Sequence, residues 1–168
     1  KGELALPKES MHTPKIEKKK FEYTYEDIIG QQSGKRAALI GAAGGHNLLF
    51  IGPPGSGKTM LAKALPSILP PLSETERMEV AAIKSVLSTF SKEDFLNGTP
   101  TFVEVHHTAT ANTLIGGGKN PKAGAMTLAH KGVLFLDELP EFKRYVLDVM
   151  RQPLEEGKMT IVRSGNFY

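Results

Sequence analysis

A glycine-rich stretch in the first half of the chain constrains the fold more than any other feature. Residues 52–59 read Gly-Pro-Pro-Gly-Ser-Gly-Lys-Thr and satisfy the phosphate-loop pattern G-x-x-x-x-G-K-[ST]. The apolar run at 47–51 predicts a buried strand before it, and apolar residues at helical spacing follow it. Strand, loop and helix in this order favour phosphate binding over the alternative of a glycine turn that binds nothing.

The residue types in this loop suit a nucleotide phosphate. Glycines at 52, 55 and 57 let the backbone turn so that successive N–H groups point at phosphate oxygens, beside the positive end of the helix dipole. We expect Lys58 to reach the β and γ phosphates and Thr59 to ligate Mg²⁺. The predicted ATP-binding residues of the loop are Gly52, Pro53, Pro54, Gly55, Ser56, Gly57, Lys58, Thr59 and Met60.

A second apolar run, Val-Leu-Phe-Leu at 133–136, ends in Asp137 and Glu138. Ligands of open α/β sheets bind at the carboxyl ends of strands, so these carboxylates are candidates for the same site. We expect Asp137 to hold Mg²⁺ and Glu138 to orient the attacking water, with Glu138 and Lys58 as the catalytic residues. An exposed strand end without chemistry is the alternative.

Composition sets the class of protein. The chain has 168 residues, of which 40% are hydrophobic, and this suits one globular domain. No apolar run approaches the length of a membrane helix, so we expect no membrane contact. The absence of cysteine excludes disulfides and thiolate metal sites and fits a cytoplasmic protein.

The net charge of +3 comes from the first twenty residues. They hold six lysines against three glutamates, whereas residues 21–168 balance fifteen basic against fifteen acidic side chains. We interpret residues 1–20 as a solvated lead-in rather than a DNA-binding arm.

Local patterns predict the remaining elements. A helix ends at Gly44 and Gly45, and a second begins at a capping box formed by Ser73 and Glu76. Residues 101–105 and 132–138 read as strands, and a last helix over 141–150 is expected to stop before Pro153. The whole pattern indicates an α/β fold.

Two other groups of residues invite a function. His106, His107 and His130 could ligate a metal, although we favour hydrogen-bonded structural roles for them. Lys119 and Lys122 follow three successive glycines, and a flexible basic loop of this kind could contact a phosphate backbone. An ordinary mobile surface loop is the alternative.

Several stretches together resemble one family. They are "DIIGQ", "GGHNLLFIGPPGSGKTMLAKALPSILPPLS", "HHTATANTLIGGG" and "AGAMTLAHKGVLFLDELPEFKRYVLDVMRQPLEEGKMTI". The chain resembles the bacterial magnesium-chelatase-like AAA+ ATPases of the YifB/ComM family from about residue 21 to residue 162.

The resemblance implies a fold and a function. It implies a P-loop NTPase with an AAA+ core, in which a parallel sheet is flanked by helices and residues 110–128 form a helix-2 insert. It implies that Ile28, Ile29 and Gly30 line the adenine, and that a hexameric ring uses ATP and Mg²⁺ for DNA branch migration, with Lys119 and Lys122 in a DNA-facing pore loop.

The resemblance also places sensor 1, the arginine finger and the helical lid outside this chain. We therefore expect residues 21–168 to be a C-terminally incomplete AAA+ subdomain, a fragment that hydrolyses ATP poorly on its own. The alternative function is a magnesium-chelatase-type motor subunit that remodels a protein partner. A regulatory nucleotide switch without sustained turnover is a third possibility.

Overall fold

The computed structural model describes residues 21–117, 122–157, 162–163 and 166–167. Four helices come first: α1 (Gln32–Gly44), α2 (Lys58–Ala64), α3 (Glu74–Val86) and α4 (Lys92–Asn97). Strand β1 (Phe102–Val105), helix α5 (Ala111–Ile115), strands β2 (Gly116–Gly117) and β3 (Lys122–Ala123), helix α6 (Ala125–Leu128), strand β4 (Val133–Leu136) and helix α7 (Arg144–Glu156) follow. Strand β5 (Val162–Arg163) pairs in antiparallel fashion with β6 (Asn166–Phe167).

Strands β1 and β4 form a parallel pair at the centre of the fold. Their register places Phe102 beside Val133 and Val105 beside Leu136. Because parallel strands need a crossover, the segment α5–β2–β3–α6 connects them. The two strand ends therefore lie at the same edge, and this confirms the predicted strands and a mixed α/β fold with parallel pairing.

The main core lies where α7 and α5 pack beside this pair. Leu114 and Val146 are fully buried there, together with Val105, Ala125, Phe142 and Met150. Val146 and Met150 are one helical turn apart on α7, so this helix presents one apolar stripe to the core that it shares with α5. The core holds α7 against the strand ends that carry the candidate site.

A smaller core supports the glycine loop. Leu61 and Ala64 of α2 pack against Ile28, with Tyr23, Tyr25 and Phe50 around them. The Tyr25 hydroxyl donates to the Leu61 carbonyl at 3.0 Å. Partial burial raises the pKa of Tyr25 to about 12, because the phenolate would lose hydration there.

The predicted capping box is confirmed at the start of α3. The Glu76 N–H donates to the Ser73 hydroxyl at 3.4 Å, and the Ser73 N–H donates to the Glu76 carboxylate at 3.0 Å. The Ser73 N–H and the Ser73 hydroxyl both donate to the Glu76 carboxylate, and this lowers the pKa of Glu76. The predicted stop of α1 is confirmed as well, since Gly45 has a left-handed backbone with φ of 61°.

The predicted strand at 47–51 is wrong. These residues are not in a strand, and within the described ranges no neighbouring strand exchanges hydrogen bonds with them. Leu49 is 66% exposed and Ile51 is 88% exposed. An apolar run becomes a strand only beside a partner that takes up its backbone N–H and C=O groups.

The predicted end of the last helix is also wrong, because α7 continues through Pro153 to Glu156. Proline removes one helical hydrogen bond. Side-chain pairs bridge the affected turn: Arg151 lies 2.9 Å from Glu155, and Gln152 donates to Glu156 at 3.2 Å. The helix then ends at Gly157, whose N–H donates to the Pro153 carbonyl.

None of the described helices combines the length and the apolar composition needed to cross a bilayer.

Candidate functional site

The glycine loop runs directly into α2. Gly55 and Gly57 have φ of 73° and 83°, a left-handed backbone that favours glycine. A side chain built on either glycine would project into open space among the described residues. Gly57 is the N-cap of α2 and has no side chain to cap the helix, so the first-turn N–H groups remain available to an anion.

Lys58 is folded back over the loop. Its Nζ donates to the carbonyls of Gly52 and Pro53 at 2.9 and 2.7 Å and lies 3.4 Å from the Ser56 hydroxyl. The positive charge is thereby held inside the curve of the loop. Thr59 is half-buried beside it, whereas Pro53, Pro54 and Met60 are exposed.

The segment before α1 contacts the loop from the other side. The Gln31 side chain donates to the Ser56 carbonyl at 2.8 Å, and the Lys35 ammonium donates to the Ile28 carbonyl. Ile28 is buried under α2, while Ile29 is 96% exposed. Gly30 and Gln31 both have positive φ, so the chain turns sharply between Ile29 and α1.

Asp137 and Glu138 follow β4 immediately. The Asp137 N–H donates to the Val105 carbonyl at 3.2 Å, which extends the parallel ladder by one residue. Glu138 has a left-handed backbone with φ of 54°, and its N–H donates to the Asp137 carboxylate at 3.0 Å. A non-glycine residue in this conformation is strained, and such strain concentrates at functional sites. Asp137 is half-buried, and the Glu138 carboxylate is exposed.

The Glu138 carboxylate lies against two histidines. Its Oε2 is 2.7 Å from His107 Nδ1 and 3.7 Å from His106 Nε2. The two imidazole rings contact each other, with centroids 4.0 Å apart. His130 is elsewhere, at 3.0 Å from Glu79 of α3, so the three histidines do not form one group.

Lys63 connects the glycine-loop helix with the sheet. Its ammonium lies 3.0 Å from the Glu104 carboxylate on β1. Hydrogen bonding to Glu104 and the charge of that carboxylate raise the pKa of Lys63. The pair orients α2 relative to the strand that precedes His106.

The basic hairpin lies beside the same strand end. Lys122 of β3 and His106 line one open groove, together with Glu104 and Asn112. The pairing of Gly116 with Ala123 closes the hairpin between α5 and α6. Lys119, the other predicted pore-loop lysine, lies outside the described residues.

Sequence reasoning missed the partners of several site residues. The roles of Gln31, Lys63 and Glu104 depend on tertiary contacts and had no local signal. The contact of His107 with Glu138 did have a signal in the sequence. The two histidines directly follow one predicted strand, and Asp137 and Glu138 directly follow the other. With Val105 beside Leu136 in a parallel register, the next two residues of each strand must meet.

Comparisons with known proteins agree with the resemblance in the sequence. The family described as magnesium chelatase, subunit ChlI, matches residues 24–167. Competence protein ComM of Haemophilus influenzae is 52% identical over 139 residues, which cover 83% of this chain and 27% of that protein. The uncharacterized protein YifB of Salmonella typhimurium is 51% identical over 138 residues, covering 82% of this chain and 27% of that protein.

A more distant relative is Lon protease 2 of Bacillus subtilis, which is 31% identical over 143 residues, 81% of this chain and 26% of that protein. The chain thus spans about a quarter of the length of the curated relatives it matches. The matched residues include the glycine loop, the paired histidines and Asp137 with Glu138. The chain belongs to the AAA+-related magnesium chelatase ChlI-subunit family, with relatives of the YifB and ComM type.

Proposed function

We propose that this chain is the nucleotide-binding part of a longer AAA+ ring ATPase that binds ATP with Mg²⁺, hydrolyses it in the cytoplasm, and couples hydrolysis to DNA branch migration. The observation that carries the proposal is the glycine loop that opens α2 with Lys58 held inside it. This arrangement offers backbone N–H groups and one fixed positive charge to a polyphosphate.

The residues around the loop fit a nucleotide. Residues 52–60 would hold the phosphates, and Ile28, Ile29 and Gly30 would lie near the base. Oxygen ligands for Mg²⁺ would come from the Thr59 hydroxyl and the Asp137 carboxylate, which suit a hard cation. When bound, Mg²⁺ neutralises charge on the phosphate oxygens.

Glu138 is the residue that we propose to orient the attacking water. Its carboxylate is exposed at the end of β4, and its backbone is fixed by the Asp137 carboxylate and the left-handed turn. A carboxylate at this strand end would accept a hydrogen bond from the attacking water and orient it, and phosphoryl transfer requires from a protein mainly such positioning together with charge stabilisation.

DNA is the substrate that the basic hairpin favours. Lys122 projects from a hairpin beside the site and lines an open groove, where a lysine can neutralise phosphate charge. The name of one relative, competence protein ComM, also supports DNA as the substrate. A hexameric ring would bring six such hairpins together.

A protein-remodelling motor is the second candidate. The observation in its favour is the family itself, which is described by a magnesium chelatase subunit. Such a motor would use ATP to rearrange a partner protein and would have no use for a phosphate-binding lysine at the hairpin.

The test measures ATP turnover by the full-length protein with and without single-stranded or branched DNA. We expect DNA to stimulate turnover. Lys122→Glu should weaken this stimulation. It should also reduce the slope of the logarithm of the DNA-binding constant against the logarithm of salt concentration by about one, because one phosphate contact is lost. Lys92→Glu, at the exposed start of α4, is the matched control. Turnover that is indifferent to DNA would favour the protein-remodelling motor.

A further inference from the structure

The end of the parallel pair brings together three side chains that ligate transition metals. His106 and His107 follow β1, and Glu138 follows β4. One ligand atom from each residue lies within 4.8 Å of those of the other two. These residues come from two strand ends 31 positions apart, so the fold, not chain proximity, assembles them.

The separations match a compact metal site. With metal–ligand bonds of about 2.0–2.1 Å, neighbouring ligand atoms of a tetrahedral site lie about 3.3 Å apart. The distances from Glu138 Oε2 to the two histidine nitrogens, 2.7 and 3.7 Å, lie on either side of this value. The third separation, between the two histidine nitrogens, is at most 4.8 Å, so side-chain rotations that shorten it toward about 3.3 Å would bring all three atoms onto one ion.

A further contact orients one of the ligands. The other ring nitrogen of His106, Nδ1, lies 3.1 Å from the Thr108 hydroxyl. Metal-bound histidines usually engage their second nitrogen in this way, which fixes the ring and directs the first nitrogen at the ion. The His106 and Glu138 side chains are 60% and 56% exposed, so an ion can enter from solvent and water can complete the coordination.

We infer that His106, His107 and Glu138 form a binding site for a divalent transition metal such as Zn²⁺, separate from the Mg²⁺ position at Thr59 and Asp137. Two imidazoles and one carboxylate suit Zn²⁺ and Co²⁺, whereas Mg²⁺ requires oxygen ligands. An ion bound there would coordinate the Glu138 carboxylate, which could then no longer accept a hydrogen bond from the attacking water. On the proposed function, Zn²⁺ bound there would inhibit ATP hydrolysis.

The test titrates Zn²⁺ by calorimetry and Co²⁺ by visible absorbance into the purified chain, in excess Mg²⁺. We expect one site and the Co²⁺ bands of a coordination number below six. His107→Gln should weaken Zn²⁺ binding by about 100-fold or more, since losing only a group that hydrogen-bonds a metal-bound histidine already costs about 10- to 100-fold. Thr108→Val, which removes the hydroxyl that contacts His106, should weaken Zn²⁺ binding by only about 10- to 100-fold.

His130→Gln is the matched control, because His130 pairs with Glu79 away from the cluster and should leave binding unchanged. Circular dichroism of each variant separates loss of a ligand from loss of the fold. Equal Zn²⁺ affinity for the wild type and the His106→Gln, His107→Gln double variant would overturn the site and show that the histidines only tether Glu138.

A parallel assay separates this inference from the proposed function. Turnover by the full-length protein should fall as Zn²⁺ fills the site and recover with a chelator. Zn²⁺ binding that leaves turnover unchanged would support the metal site and contradict the role proposed for Glu138. Turnover without any Zn²⁺ binding would overturn the metal site alone.

Discussion

On the proposed function, Lys58 is the residue on which nucleotide binding depends most directly. Its ammonium bonds two loop carbonyls, so its charge is fixed where a phosphate would approach. The neighbouring Lys63, on the same helix, is turned away to Glu104. The two lysines thus make different contacts although they lie five residues apart on the chain.

We predict that Lys58→Met weakens binding of a fluorescent ATP analogue to this chain by about 10- to 100-fold. One charge-assisted hydrogen bond contributes about 1.5–3 kcal/mol, and methionine keeps the length of the side chain without the charge. Fluorescence titration in Mg²⁺ measures the effect. Lys92→Met, at the exposed start of α4, is the control, and equal weakening by both substitutions would argue against a specific role for Lys58.

Tyr25 makes the stability of the smaller core depend on pH in the alkaline range. Its pKa is raised to about 12 by burial, so the folded state favours the neutral phenol. The stabilisation is complete below the ordinary tyrosine pKa of about 10 and is lost as the pH rises through about 12.

We predict that Tyr25→Phe lowers the free energy of unfolding by about 1 kcal/mol at neutral pH, because the hydrogen bond to the Leu61 carbonyl is lost. The difference from the wild type should shrink or reverse between pH 10 and 12. Urea unfolding followed by circular dichroism at several pH values measures this. A difference that does not vary with pH would show that the phenol is solvated in the folded state.

At the scale of elements, α3 depends on its N-terminal cap. Ser73 and Glu76 satisfy each other's backbone N–H groups, and Lys131 lies 3.4 Å from the Glu76 carboxylate. His130 and Lys131 both approach Glu79, so these contacts link α3 to the turn before β4. The cap therefore also supports the strand that carries Glu138.

We predict that Ser73→Ala lowers the free energy of unfolding by about 1 kcal/mol at pH 7. The lowered pKa of Glu76 means that its stabilisation is present above the ordinary value of 4.5 and is lost as the pH falls through the folded pKa. The effect of Ser73→Ala should therefore diminish in acid. Thermal unfolding at pH 7 and at acidic pH tests this. Ser67→Ala is the comparison: Ser67 ends the 3₁₀ turn Leu65–Ser67, and its hydroxyl donates to the Ala64 carbonyl at 2.7 Å, a hydrogen bond that involves no carboxylate, so the effect of this substitution should not diminish in acid.

For the whole molecule, sequence reasoning succeeds where one segment determines its own structure. The Ser73 capping box, the Gly45 stop and the strand before Asp137 are encoded by neighbouring residues, and all were confirmed. Sequence reasoning fails where contacts with residues distant in the sequence determine the local structure. The run at 47–51 needs a partner strand, and the extension of α7 past Pro153 depends on side-chain pairs and on packing of Val146 and Met150.

The candidate site follows the same division. The glycine loop was predicted from eight consecutive residues, and the structure folds it into a turn that opens α2. The pairing of His107 with Glu138 was not predicted, because it requires the register of two strands separated by the α5–α6 crossover. Local pattern identifies the chemistry, and topology decides which groups meet.

One comparison tests the central claim most directly: ATP binding and ATP turnover by the full-length protein and its Glu138→Gln variant. We predict that the variant binds ATP as tightly as the wild type and turns it over at least about 100-fold more slowly, because a positioned general base contributes about 10²–10⁴. Glu79→Gln, whose carboxylate contacts His130 instead, should retain turnover. Wild-type turnover by Glu138→Gln would contradict the assignment of Glu138 and of this strand end as the hydrolytic site.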